Sequence, residues 1–155
     1  MLSPLKKTEK GWEHFHDYHL TLLFIGELPE AQLPYLIKRM NQISAEPFTL
    51  ITTNFHFFNR RIMYLGFEHC PEIYALRKGI LEMYPEFGGK EEKDFIPHIT
   101  VKRWQRYEHA DLVRGLENHP NRPLSIPVKG LELFKSEKDI ENRKYHVIHR
   151  TTFAN

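Results

Sequence analysis

Tyr18-His19-Leu20-Thr21-Leu22 and Pro97-His98-Ile99-Thr100-Val101 are the two stretches that decide how this chain folds. They lie roughly 80 residues apart and carry the same pattern of one imidazole and one hydroxyl two positions later. The segments downstream of the two motifs correspond as well. Pro47-Phe48-Thr49-Leu50 through Phe57-Phe58-Asn59 aligns without a gap on Pro123-Leu124-Ser125-Ile126 through Leu133-Phe134-Lys135. Met63-Tyr64-Leu65-Gly66-Phe67 closes the first half and Tyr145-His146-Val147-Ile148-His149 the second. Such self-similarity marks an internal duplication. Two halves built alike pack about a pseudo-twofold axis, which predicts equivalent residues facing one another across a cleft.

Around the repeated motifs, alternation and β-branched or aromatic content predict strands over 18–25, 48–57, 62–67, 97–103, 124–134 and 144–152. Helices are predicted by the spacing of Leu33, Leu36, Ile37 and Met40, then of Ile73, Leu76, Ile80 and Met83, and more weakly of Leu112, Val113 and Leu116. Pro29, Pro71 and Glu108 stand near the three starts, and Gly88 to Lys93 reads as a polar loop. The expected class is α+β: one domain over 1–155, with similar lobes from about 12–67 and 71–153 and mainly antiparallel sheets. Before its His-x-Thr strand the second half has a strand and a helix, at 62–67 and 71–86, whereas the first has only the polar segment 1–17. The expectation is a missing N-terminal strand and helix. An exposed edge of that kind lowers stability or invites pairing with another chain.

Composition narrows the functions open to the chain. It has 155 residues, 41% hydrophobic and 27% charged, enough for one domain with a core and too few for two. Lys and Arg number 22 against 20 Asp and Glu, a net charge of +2, so binding a polyanion by bulk neutralisation is excluded and an anion must be met locally. The longest apolar runs, such as Leu20 to Gly26, fall far short of the roughly 20 residues of a membrane span, and no leader pattern is visible. The single Cys70 cannot form an internal disulfide, which fits a reducing cytoplasm and reads as a small, half-buried residue before Pro71. Ten histidines are the unusual feature, since imidazole is the side chain that changes charge near neutral pH.

In an extended segment successive side chains alternate faces, so His19 shares a face with Thr21, and His98 with Thr100. Facing halves would then supply two imidazoles around a space lined by two hydroxyl donors. That set can open a phosphodiester without metal or cofactor. One neutral imidazole takes a proton from the attacking oxygen and one protonated imidazole gives a proton to the leaving oxygen. Hydroxyls and a nearby cation hold the non-bridging oxygens as their charge grows. The opposite protonation demands on the two rings predict a bell-shaped pH profile. One His-x-Thr alone is more simply a buried strand histidine; its duplication at equivalent places points to chemistry.

With these motifs in view, the chain resembles the two-histidine phosphoesterase superfamily, and within it the bacterial and archaeal RNA 2',3'-cyclic phosphodiesterases, also called 2'-5' RNA ligases. The resemblance rests on Trp12, on His19 through Gly26, on His98-Ile99-Thr100-Val101-Lys102-Arg103 and on Leu133-Phe134-Lys135-Ser136. It implies hydrolysis of an RNA 2',3'-cyclic phosphate to a 2'-phosphate, with reversible joining of RNA ends through a 2'-5' linkage. It also implies His19 as proton donor to the 3'-oxygen, His98 as proton acceptor, and Thr21 and Thr100 as phosphate-holding residues. The implied partners are RNA ends or small 2',3'-cyclic nucleotides, with no cofactor, metal, membrane or protein partner. The family's opening strand and helix have no counterpart here.

Arg103 occupies the place of a phosphate-contacting arginine in that family, yet strict alternation puts it on the face opposite His98, so only a bulge or a strand end would turn it inward. Phe57, Phe58 or Trp104 could stack a base at the cleft edge. Arg60, Arg61, Lys102 and Arg106 read individually as solvated residues that could guide a polyanion. Two rival functions remain. His14, His16 and His19 around Asp17 suggest a zinc hydrolase, although the familiar metallo-β-lactamase-type order would place Asp directly before the last His, where Tyr18 stands. The other is an RNA-end binding module without turnover.

Overall fold

Runs of β-branched and aromatic residues form most of the expected strands, and the first two apolar stripes form helices. The chain, seen in a computed structural model, is described over residues 17–59, 61–88, 94–103, 115, 122–138 and 143–154. A short 3-10 turn at Glu30–Gln32 leads into α1 (Leu33–Met40), followed by β1 (Phe48–Phe58), β2 (Ile62–Phe67), α2 (Pro71–Met83), α3 (Pro85–Gly88), β3 (His98–Arg103), β4 (Ser125–Val128), β5 (Gly130–Lys138) and β6 (Arg143–Thr152). One sheet has the order β3-β2-β1-β4 and a second pairs β5 with β6. The pairings β1–β2, β2–β3 and β5–β6 are antiparallel, so the class is α+β with mainly antiparallel sheets.

Packing resolves into two compact units, each assembled from three segments: 1–21, 51–68 and 96–125 in one, and 22–50, 69–95 and 126–155 in the other. In the first, Thr52, Met63, Tyr64 and Val101 are buried. The Thr52 hydroxyl accepts a hydrogen bond from the Leu124 amide at 2.8 Å, which satisfies a polar group that is only 1% exposed.

In the second unit α1 turns Leu36 and Met40 inward and α2 turns Ile73, Leu76 and Ile80 inward, as their spacing predicts. Tyr84 is buried beside them, and its hydroxyl donates to the Leu36 carbonyl at 2.7 Å. Arg39 lies over the Tyr84 ring at 4.4 Å and pairs with Glu86. Cys70 precedes the helix-opening Pro71 and donates its thiol hydrogen to the Glu72 carboxylate at 3.1 Å. Burial first, and then that bond, push the thiol above its usual range. Iodoacetamide at neutral pH should therefore modify Cys70 much more slowly in the folded protein than in urea; equal rates would contradict this placement.

The structure corrects two strand expectations. Over 18–25 there is no strand, only an isolated antiparallel bridge between Leu20 and Ile99. Beyond it the Leu22 carbonyl accepts from Arg77 Nε at 3.2 Å instead of entering a ladder, and the chain turns at Gly26 with φ of 83°. The expected strand over 124–134 is two strands, because the chain changes sheet at Lys129. Gly130 makes that change possible: a Cβ there would lie 2.2 Å from the Thr151 carbonyl oxygen. The weak helix around Leu112, Val113 and Leu116 lies outside the described residues, as do the expected gap before Trp12 and most of the Gly88–Lys93 loop. No described helix is long and apolar enough to cross a membrane.

Candidate active site

Both His-x-Thr motifs fall in the first compact unit, and the bridge from Leu20 to Ile99 lays them side by side. Antiparallel register about that pair sets His19 opposite Thr100 and Thr21 opposite His98. Directly opposed residues share a face, with Cβ atoms about 4.5–5.5 Å apart, and diagonal neighbours stand about 7–8 Å apart. The two histidines thus take diagonal positions about the bridge, each opposite the other motif's threonine.

The two imidazoles are also held alike. His19 Nδ1 lies 2.6 Å from the Asp17 carbonyl oxygen, and His98 Nδ1 lies 2.7 Å from the Ile96 carbonyl oxygen. A carbonyl only accepts, so Nδ1 is the donor in both rings and Nε2 is the nitrogen left to meet another partner. Each bond reaches back two residues, which orients the ring from its own backbone. His19, His98 and Thr100 are half-buried and Thr21 is exposed.

Register along β2 extends this face. Gly66 is paired with His98, Tyr64 with Thr100, and Ile62 with Arg103. Between Tyr64 and Met63 the partner strand jumps from Thr100 to Lys102, so Val101 is an extra residue and β3 carries a bulge. The bulge reverses the alternation beyond it. Arg103 joins the face of His98 and Thr100, where an unbulged strand would have turned it away, and Lys102 goes to the other side opposite Met63. The expectation of a solvated Lys102 is therefore wrong: it is 1% exposed, because the bulge turns it to the side on which Met63 is equally buried. Arg61 and Arg103 are exposed. Arg60, Arg106, Trp104, Trp12, His14 and His16 lie outside the described residues. Among the described residues no group of three or more His, Cys, Asp or Glu could hold a metal ion.

A wall of aromatic side chains continues the face across β2 and β1. Phe58 stacks on Tyr64 with centroids 4.1 Å apart and planes 18° apart, and His56 stacks on Tyr64 at 5.4 Å and 29°. The His98 ring stands edge-on to Phe58 at 5.1 Å and to Tyr64 at 5.4 Å. Burial pushes the Tyr64 phenol up, so it stays neutral beside the imidazole. Of the two phenylalanines singled out in the sequence, Phe58 is on this face, whereas Phe57, paired with Met63, is on the other. Gly66 leaves room for the wall: a Cβ there would come within 2.8 Å of Thr53 Oγ1 and 2.9 Å of His56 Cδ2. The parity of His56, Tyr64 and Gly66 with His98 exists only once β2 is paired. The one sequence signal was the alternation of 62, 64 and 66.

A cavity of about 650 Å³ lies elsewhere, between residues 42–48 and α2. Its charged lining is Glu46, Glu72 and Glu82, carboxylates that repel a phosphate.

Comparison with known proteins identifies the family. The family profile of the 2'-5' RNA ligase superfamily matches residues 6–140. The chain is 31% identical over 102 residues to a protein of Archaeoglobus fulgidus named RNA 2',3'-cyclic phosphodiesterase, covering 62% of this chain and 58% of that one. A Geobacillus stearothermophilus protein of the same name is 31% identical over 146 residues, covering 90% of this chain and 46% of the relative. The chain thus spans about half the length of these two relatives. In three dimensions it resembles E. coli LigT, solved in complex with 3'-AMP, with a TM-score of 0.76, 20% identity and coverage of 99% of this chain and 87% of that one. At that identity the likeness concerns the fold.

Proposed function

Since the chain belongs to the 2'-5' RNA ligase superfamily, we propose that it is an RNA 2',3'-cyclic phosphodiesterase that leaves a 2'-phosphate and, in reverse, joins RNA ends through a 2'-5' linkage. One observation carries this reading: two imidazoles, one from each sequence half, set diagonally about the Leu20–Ile99 pair and each fixed through Nδ1 to the carbonyl two residues back. The names of both relatives support the substrate.

In this reading the cyclic phosphate sits over Leu20 and Ile99. Neutral His98 takes a proton from water through Nε2 as the oxygen adds to phosphorus. Protonated His19 gives its Nε2 proton to O3' as the P–O3' bond breaks, and the phosphate stays on O2'. Thr21 and Thr100 donate to the non-bridging oxygens, and Arg103 supplies the positive charge. The protons exchanged are the chain's own and water's, so the scheme calls on no metal or cofactor.

The test is turnover of 2',3'-cyclic AMP with excess EDTA. Undiminished hydrolysis and a 2'-phosphate by phosphorus NMR are expected. Loss on chelation with recovery on adding zinc would establish the metal hydrolase instead, and a 3'-phosphate would reverse the roles of the histidines. Tight binding of cyclic-phosphate RNA without turnover would leave an RNA-end binder.

A further inference from the structure

Resting on the reading that His98 receives the proton of the attacking oxygen, we propose that His56, Phe58 and Tyr64 form a subsite for the first base of the strand whose 5'-hydroxyl attacks during joining. In that step the 5'-oxygen bonds to phosphorus as its proton passes to His98, the P–O3' bond breaks, and O3' takes the proton of His19. Nothing is oxidised or reduced, and the 5'-hydroxyl takes the place of water.

The order of elements across the face gives the direction. The segment carrying His19 lies on one side of β3, and β2 and then β1 lie on the other. Attacking and leaving oxygens stand roughly in line through phosphorus. The ribose that keeps the phosphate therefore lies toward His19, and the attacking group enters from the side of β2 and β1. That is the side on which the His98 ring meets Phe58 and Tyr64. Tyr64 is buried and forms a fixed base for the layer, with exposed His56 and half-buried Phe58 stacked on it. A flat aromatic layer of this kind stacks any nucleobase, since every base has a π-face. Arg103 is in register with Ile62, which is paired with Phe58, so a cation lies in the same row for the attacking strand's backbone.

The experiment measures joining of an RNA ending in a 2',3'-cyclic phosphate to a 5'-hydroxyl oligonucleotide, and hydrolysis of 2',3'-cyclic AMP, on the same preparations. Phe58→Leu and His56→Ala should each lower the ratio of joining to hydrolysis by about 5- to 100-fold, through a raised KM for the 5'-hydroxyl strand. Phe58→Tyr should restore it. A ratio unchanged within twofold would overturn the proposal, and if both activities fall together the layer holds the base of the cyclic nucleotide. A wild-type protein that hydrolyses but joins nothing with excess acceptor also overturns it. A wild-type protein that turns over no cyclic phosphate removes the underlying assignment of His98 instead.

Discussion

Replacing His98 with alanine is expected to lower kcat/KM for 2',3'-cyclic AMP by about 10²- to 10⁴-fold, and replacing His19 to do the same, the range for one positioned acid or base. The double variant should fall little below either single one, because proton donation and acceptance belong to one displacement and losing either half leaves the same unassisted reaction. The structure gives a reason to expect similar losses. Both rings are oriented through Nδ1 by the carbonyl two residues back. Thermal unfolding of the variants checks that the fold survives. Losses that add fully in free energy would mean the two imidazoles serve separate steps.

The second large effect concerns stability. Gly130→Ala is expected to destabilise the protein by about 1–3 kcal/mol, the usual cost of overpacking. Its midpoint should fall by roughly 2–4 °C for each kcal/mol in a chain of this size. The new methyl would lie 2.2 Å from the Thr151 carbonyl oxygen and 3.1 Å from the Thr152 Cα, and both are backbone atoms that cannot rotate away. The start of the β5–β6 ladder would have to separate, and with it the bond from the Phe153 amide to the Lys129 carbonyl at 2.8 Å. Gly79→Ala is the matched control. It sits in α2, where the added Cβ would meet no heavy atom within 4 Å beyond the adjoining helix backbone and its chain neighbours, and alanine there should stabilise by about 0.5–1 kcal/mol. Scanning calorimetry should thus show opposite signs for one chemical change; a fall for Gly79→Ala or no fall for Gly130→Ala would refute the account.

Much of the framework is legible in the sequence. The helices at Leu33–Met40 and Pro71–Met83 are set by apolar spacing because one buried stripe suffices to define each. β1, β2, β3 and β6 are set by local composition in the same way. The run from Leu124 to Phe134 misleads because alternation persists through a change of sheet, and only the approach of Thr151 to Gly130 reveals the break. The stretch from Tyr18 to Ile25 misleads because its strand-like pattern serves one bridge and a bond from Arg77.

The proposed reacting groups are legible in the residues alone: a duplicated imidazole and hydroxyl, whose pairing by face is a property of any extended chain. The surroundings of that pair belong to the tertiary structure. A single extra residue, Val101, sends Lys102 inside and brings Arg103 to the face of His98 and Thr100, and nothing local to Val-Lys-Arg announces it. The wall of His56, Phe58 and Tyr64 likewise exists only through the register of β1 on β2 and β2 on β3. Register is a long-range property. It is fixed by how whole strands fill a shared core, and a shift of one residue exchanges every side chain between faces.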